Sequence, residues 1–201
     1  MNAAPPPTDA PGEPARAAAL DFLLHRYSVG PKHLREPGPT DAELRAIAHA
    51  ALRAPDHEKR IPFRFVVVRG AAKARLGALF EAYGRRRGKP VEDLTAERDR
   101  AERPPVVIAV VARIDPTDAD VPVHEQWIAV GGAIANAMNA LQLLGYAGKV
   151  LSGVRASDPD ITAAFCEAGE TLVGWIAAGT AATPPQPREP DDPGAIVREW
   201  R

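Results

Sequence analysis

The longest apolar stretch of the chain covers residues 125–148 and contains no lysine, arginine or aspartate. Its apolar side chains, Trp127 and Leu141 among them, spread around most of a helix circumference. This pattern predicts a helix of about 20 residues that is buried on all sides. A membrane span has a similar length, but Gln126 and Asn136 interrupt the run. We interpret the stretch as the central helix of a soluble protein, half covered by a second subunit.

Three shorter runs are rich in β-branched residues and have the length of strands. They cover Phe63–Arg69, Val106–Arg113 and residues 171–178. The second run is apolar on both faces, which predicts a central strand. Residues 149–153 have the pattern of a short extended segment.

Helical spacing of apolar residues predicts the remaining elements. The predicted helices cover residues 17–25, 41–52, 71–87 and 91–103, and a further helix begins at Pro159. Thr40 and Glu43 have the spacing of a capping box at the start of the second helix. The helix over 91–103 is polar and charged, so we expect a solvent-facing flap. Because strands and helices do not alternate regularly, the predicted fold class is α+β.

The composition argues against a nucleic-acid-binding protein and against a disulfide-linked fold. The 201 residues suffice for one domain, and 25 Lys+Arg against 26 Asp+Glu give no excess positive charge for nucleic acid. The single cysteine, Cys166, excludes an internal disulfide. It lies in an alanine-rich helical pattern over residues 161–168, where we interpret it as a small buried apolar residue.

The two ends of the chain differ from its middle. Residues 1–16 are rich in alanine and proline and predict a disordered tail, so the domain is expected over residues 17–201. Residues 1–15 contain no lysine or arginine and no long apolar run, which is not the pattern of a secretory signal, and we expect a cytoplasmic protein. Residues 196–200 are apolar and strand-like after a proline-rich segment, and therefore need a docking place.

The usual motifs of self-sufficient catalysis are missing from the sequence. No G-x-G-x-x-G follows a strand, and no phosphate-binding G-x-x-x-x-G-K-[ST] occurs. The five histidines have no metal-ligand spacing, and Ser152 lacks the glycine that precedes a hydrolase nucleophile. We therefore expect neither a catalytic side chain nor a metal site, and an enzyme of this kind needs a cofactor to carry the chemistry.

Five stretches, taken in order, resemble the nitroreductase family of flavoproteins, in particular its small single-domain subgroup, often called YdjA-like. They are LHRYS over residues 24–28, RAPDH over 53–57, PFRFV over 62–66, the Ala/Gly-rich helix closing in GYAG at 145–148, and GWIAAG over 174–179. Their order and spacing cover residues 18–201. The resemblance implies a mixed sheet flanked by helices, a long central helix and a homodimer that exchanges a C-terminal strand and holds FMN between its subunits.

At the phosphate end of FMN, the resemblance implies contacts from Arg26 and Ser28, with Tyr27 close by. Arg188 follows the last motif and is implied as a second phosphate clamp. A guanidinium fork suits a phosphate, and a serine hydroxyl adds a donor. Tyr27 stands where the family commonly has a second arginine. Taken alone, Arg26 would be interpreted as a surface residue capping a helix, and Arg188 as solvated.

Near the ring and ribityl chain, the resemblance implies Arg53 and His57, whose positive charge would stabilise the reduced, anionic flavin. Val150, Leu151 and Ser152 match the segment that lies along the cofactor. The subgroup has W-R-S-G where this chain reads V-L-S-G, which removes an aromatic ring and a cation. Without the resemblance, His57 is a turn residue and Ser152 a loop residue.

The resulting hypothesis is an FMN-dependent NAD(P)H oxidoreductase acting on nitroaromatics, quinones or similar electron-poor acceptors. The first alternative is a non-catalytic dimeric protein that holds flavin or another small ligand on the same fold. The second is a flavoenzyme of different chemistry, such as a reductive dehalogenase or a flavin-consuming enzyme.

Overall fold

A computed structural model describes residues 12–183 and 192–200. The chain divides into one unit of Met1–Tyr27 with Pro185–Arg201 and another of Ser28–Pro184. In the first unit, helix α1 spans Glu13–Leu24, so it begins four residues before the predicted start at residue 17, with Pro14 in its first turn. No described helix is long and apolar enough to cross a membrane.

The second unit contains five strands and five helices among its described residues. The strands are β1 Leu34–Arg35, β2 Phe63–Arg69, β3 Val106–Arg113, β4 Ala147–Leu151 and β5 Glu170–Ala181. The helices are α2 Asp41–Ala51, α3 Ala72–Arg86, α4 Val91–Glu102, α5 Val123–Leu143 and α6 Pro159–Ala163. The predicted bounds of β2 and β3 are confirmed, and so is the capping box, in which the Thr40 hydroxyl accepts from the Glu43 N–H.

The strands form one sheet in the order β1-β5-β3-β2, with β4 also paired to β5. The predicted sheet is mixed, whereas each of the four ladders between described strands is antiparallel. Arg69 at the end of β2 pairs with Val106 at the start of β3, because the hairpin of α3 and α4 returns the chain to the same end of the sheet. The α+β class is confirmed.

Strand β3 is buried on both faces, as predicted for a central strand. Val106, Ile108 and Val110 pack into the cluster beneath α2 and α5. Val107 and Ala109 point the other way, into the cluster beneath α3, α4 and α6. The sheet therefore separates two cores, and residues attached to one face are screened from the other.

The long central helix has the predicted length, 21 residues, but lies earlier in the chain than the apolar stretch 125–148, over Val123–Leu143. It ends at Leu143, and Gly145, with a φ of +84°, turns the chain into β4, which takes residues predicted to be helical. Burial on all sides is wrong for the isolated chain, because Ile128 is 58% exposed and Leu143 69% exposed. One apolar face of α5 thus remains uncovered by the chain itself.

The prediction of a solvent-facing flap over residues 91–103 is wrong. Helix α4 packs along α3 and buries Leu94, Glu97 and Ala101. The close approach depends on glycine, because a Cβ added to Gly84 would lie 3.1 Å from both Leu94 and Glu97. The predicted helix around Cys166 is also too long: α6 ends at Ala163, and the cysteine is only half-buried.

A buried carboxylate fastens the start of β5. The Glu170 side chain is 1% exposed and accepts hydrogen bonds from Arg64 Nε at 2.9 Å and Arg113 Nη2 at 3.0 Å. Its other oxygen accepts from the Glu167 backbone N–H at 2.8 Å. These bonds, with that from Arg64 the strongest, lower the pKa of Glu170 to about 2.

We expect Glu170→Gln to lower the free energy of unfolding at pH 7 by roughly 3 kcal/mol, the equivalent of a pKa of about 2 against the ordinary 4.5. A lowered folded-state pKa stabilises above pH 4.5, and this contribution is lost as the pH falls toward 2. The difference between wild type and variant in urea unfolding should therefore shrink from pH 7 to pH 3. Glu167→Gln, at a carboxylate that is 77% exposed, is the matched control and should cost little. A difference that does not change with pH would contradict this assignment.

Gly174 allows β4 to end directly on β5. Its φ is +151°, and an added Cβ would lie 2.3 Å from the Leu151 carbonyl oxygen, a backbone atom that cannot move aside alone. We expect Gly174→Ala to destabilise the protein by about 1–3 kcal/mol more than Gly169→Ala. Gly169 also has a positive φ, +81°, but nothing lies within 4 Å of its added Cβ. Thermal unfolding of the two variants measures the difference, and equal melting temperatures would mean that β4 tolerates the displacement.

Candidate functional site

The loop that carries Ser28 is held against β4. The Val29 N–H donates to the Gly148 carbonyl oxygen at 2.9 Å, and Ser28 itself is exposed. Gly148 is required there, because a Cβ would lie 2.7 Å from the Ala177 carbonyl oxygen of β5. Ser28 thus lies beside the strand that continues into residues 150–152, so these predicted site residues come together.

The end of β4 exposes its side chains to different faces. Leu151 pairs with Trp175 of β5, on the α3 and α4 side of the sheet, and Val150 pairs with Ile176, on the α5 side. The Ser152 hydroxyl donates to the Val173 carbonyl oxygen at 2.8 Å. That hydroxyl therefore fixes the strand end and is already engaged as a donor.

A cavity of about 220 Å³ opens beneath this strand end, and we call it the β4 cavity. Its lining includes Arg100, Lys149, Leu151, Ser152, Arg155 and Trp175. A second cavity of about 430 Å³, between the turn at Gly30 and helix α4, shares Pro31 and Arg100 with it. Together the adjoining spaces are in the size range of a cofactor site.

The β4 cavity is electropositive. Arg155 is held by Glu97, with Nε 2.8 Å from Oε2, and lies 5.8 Å from the centre of the Phe80 ring. Burial of Glu97 opposes its ionisation, but hydrogen bonds from Lys89 and Arg155 outweigh this and lower its pKa. Three cationic side chains line the cavity, while the buried carboxylate beside them is already paired. The site therefore favours an anionic or electron-rich ligand.

One buried donor of β5 has no acceptor. Trp175 is 3% exposed, and its Nε1 is the one buried side-chain nitrogen or oxygen without a hydrogen-bond partner in the described part of the chain. Buried polar groups in folded proteins nearly always have partners. The FMN implied by the resemblance carries a phosphate and ring carbonyl oxygens, which fit the three cations of the β4 cavity.

Arg53 and His57 lie on the other side of the sheet. They follow α2, where Ala54 packs against Gly132 of α5, and His57 Nδ1 is 2.8 Å from Glu125 Oε2. Both side chains are exposed. No hydrogen bond or ion pair between described residues joins them to the β4 cavity, so one chain does not assemble the whole predicted site.

Arg26 and Tyr27 lie in the first unit. Both are half-buried just after α1. Arg188 lies outside the described residues, and its predicted role stays a prediction.

Sequence reasoning missed Arg100, Arg155, Lys149 and Trp175 as cavity residues. Lys149 directly precedes the predicted segment and could have been included from its position alone. Arg100 and Arg155 reach the site only through the packing of α4 and of the turn Val154–Ser157, which no local pattern reveals.

The family model described as the nitroreductase family matches residues 23–180. The Escherichia coli K12 protein named "Putative NAD(P)H nitroreductase YdjA" is 32% identical over 163 residues, covering 81% of this chain and 87% of its own. The Haemophilus influenzae protein named "Putative NAD(P)H nitroreductase" is 34% identical and covers 81% of this chain and 88% of its own.

Solved structures have the same fold at lower identity. A nitroreductase-like family protein from Bacillus cereus has a TM-score of 0.77 at 18% identity, covering 90% of this chain and 95% of its own. A nitroreductase described in complex with FMN, from Desulfovibrio desulfuricans, has a TM-score of 0.67 at 19% identity, covering 91% and 97%. The family match spans most of the chain and both the curated relatives and the fold agree with it, so this chain belongs to the nitroreductase family of oxidoreductases.

Proposed function

We propose that the protein is an FMN-dependent NAD(P)H oxidoreductase that reduces nitroaromatics, quinones or similar electron-poor acceptors. Bound FMN would supply hydride transfer between NAD(P)H and the acceptor. The observation that carries the proposal is the β4 cavity, where Arg100, Lys149 and Arg155 lie beside Leu151 and Ser152. The names of relatives, which mention NAD(P)H and FMN, support the same chemistry.

The protein's own part is to bind and orient the cofactor. Ser28, held beside β4 through Val29, and Arg26, two residues earlier, bind the phosphate in this proposal, with Tyr27 adjacent and Arg188 as a second clamp. Residues 150–152 would lie along the cofactor, as the resemblance implies. Cations beside the ring stabilise its reduced, negatively charged form, because opposite charges attract more strongly in a partly dehydrated cleft.

The active form in this proposal is a homodimer with FMN between its subunits. The uncovered apolar face of α5, with Ile128 and Leu143, supports a second subunit. Arg53 and His57 lie across the sheet from the β4 cavity, so a partner subunit can supply them to a site that this chain opens. The exposed Ile196 and Val197 support the exchange of the C-terminal segment.

We expect Arg26→Ala to raise the dissociation constant of FMN about tenfold or more, because a charge-assisted hydrogen bond to phosphate is lost. Flavin fluorescence titration of the apoprotein measures this change. Arg75→Ala, at an exposed arginine of α3, is the control and should bind FMN like the wild type. Equal affinities of the wild type and Arg26→Ala would remove Arg26 from the phosphate site.

The purified protein should be yellow and should bleach on anaerobic addition of NADH or NADPH. With no dinucleotide-binding fingerprint in the sequence, the nicotinamide and the acceptor must use the same exposed flavin face in turn. Steady-state kinetics should therefore give parallel double-reciprocal lines. Intersecting lines would indicate a ternary complex and a separate dinucleotide site. Yellow protein that does not bleach would favour the non-catalytic flavin-binding alternative, which the replacement of W-R by Val150-Leu151 makes worth testing.

A further inference from the structure

We propose that Glu125 is a positioning residue, which holds the imidazole of His57 so that its Nε2 is presented to FMN. The inference rests on the proposed function, in which His57 contacts the cofactor across the subunit interface. It assigns a role to a carboxylate in the first turn of α5, a residue that the resemblance does not name.

The His57 ring is bonded through one nitrogen. Its Nδ1 is 2.8 Å from Glu125 Oε2, and an ionised carboxylate only accepts hydrogen bonds, so Nδ1 carries a proton. Within the part of the chain that the structure describes, Nε2 has no hydrogen bond or ion pair. The two ring nitrogens point in nearly opposite directions, so Nε2 faces away from Glu125. It is the nitrogen left for a ligand, as an acceptor when the ring is neutral and as a donor when it is protonated.

The backbone that follows this histidine is held in an unfavourable conformation. Glu58, Lys59 and Ile61 have φ angles of +54°, +55° and +49°, in the left-handed region that favours glycine. The β-branched Ile61 is an especially unusual occupant of that region. Strain of this kind persists only where surrounding contacts fix it, and it concentrates at ligand-binding sites. The segment is therefore held in place by its contacts and not by its own preference.

Two of the contacts that hold the segment fix its backbone and its surface side chain. The Asp56 carboxylate accepts from the Ile61 N–H at 2.7 Å, and Arg60 Nε is 2.9 Å from Asp118 Oδ2. Neither contact touches the imidazole, so both leave the ring free to rotate. Glu125 supplies the contact that fixes the orientation of the ring.

The competing interpretation is an ordinary surface ion pair. The side chains of His57 and Glu125 are 51% and 37% exposed in the single chain, and an exposed pair contributes little to stability. A purely structural pair would influence FMN binding, if at all, independently of His57. A positioning residue acts only through the residue that it orients, so the two interpretations differ in whether the effects of two substitutions add.

The first test is a double-mutant cycle on FMN affinity. We expect His57→Ala to raise the dissociation constant of FMN about five- to tenfold, the effect of one hydrogen bond, and Glu125→Ala to raise it about two- to fivefold. In the His57→Ala background, Glu125→Ala should have no further effect. Glu125→Gln retains a carbonyl oxygen as acceptor and should bind FMN more tightly than Glu125→Ala.

Glu92→Ala is the matched control for this cycle. It removes an exposed carboxylate from the first turn of α4, and its FMN affinity should equal that of the wild type. An unchanged affinity of Glu125→Ala, or effects of the two substitutions that add, would overturn the inference alone. An unchanged affinity of His57→Ala would overturn it by removing His57 from the cofactor site. Wild-type protein that binds no FMN would overturn the proposed function and this inference with it.

The second test follows the ring in the apoprotein and does not depend on FMN. In ¹⁵N-labelled protein, at a pH where the imidazole is neutral, the ring nitrogen shifts report which nitrogen carries the proton. The His57 signals are those missing from His57→Ala. We expect a ring protonated mainly on Nδ1 in the wild type and a shift toward protonation on Nε2 in Glu125→Ala. The same tautomer populations in both proteins would show that Glu125 does not fix the ring, which contradicts the inference.

Discussion

The structure depends on two adjacent strands, β3 and β5, being buried on both faces. Because Val107 and Val111 face one way and Ile108 and Val110 the other, helices must cover both sides of the sheet. This double cover divides the molecule into two cores and leaves β4 at the margin of β5. At that margin Gly174 lets the end of β4 close over β5, and a cavity lined by polar side chains remains beneath it.

Charge links the packing of the helices to the properties of that cavity. Glu97, buried on α4, binds Lys89 at 2.6 Å and Arg155 at 2.8 Å, and so joins the α3–α4 hairpin to the turn after β4. One carboxylate serves two cations at hydrogen-bonding distance, with Arg100 nearby, so the pairing anchors the cavity wall without cancelling its positive charge. Removing one partner of such a buried pair leaves an uncompensated charge. A change at Glu97 would therefore disturb both the position of Arg155 in the cavity wall and the packing of α4.

Local pattern predicted the elements that local forces determine. Phe63–Arg69 and Val106–Arg113 were predicted with their observed bounds, because long β-branched runs leave few alternatives. Helix α4 was misjudged because its burial comes from the glycine-lined side of α3. The predicted end of α5 is too late because the first two residues of the following strand, Ala147 and Gly148, are also buried and uncharged, and Gly145 makes the turn before them. The resemblance predicted residues 150–152 as site residues. Arg100 and Arg155 could not be predicted in the same way, because they reach the cavity only through the packing of α4 and of the turn after β4.

The predicted site residues fall into two groups, residues 150–152 at the β4 cavity and Arg53 with His57 on the α5 side of the sheet. The position of α5 suggests how the two groups could meet. The helix covers the α2 side of the sheet with its buried face, and His57 contacts Glu125 near its start. Its opposite face, with Ile128 and Leu143, is exposed and carries too little charge to be a stable solvent surface. If a second copy covers this face, the loop of Arg53 and His57 comes with it, on the side of the sheet that its own β4 cavity cannot reach. In that arrangement the exposed apolar surface of α5 would also join the two halves of the site, so that cofactor binding and association would stabilise each other.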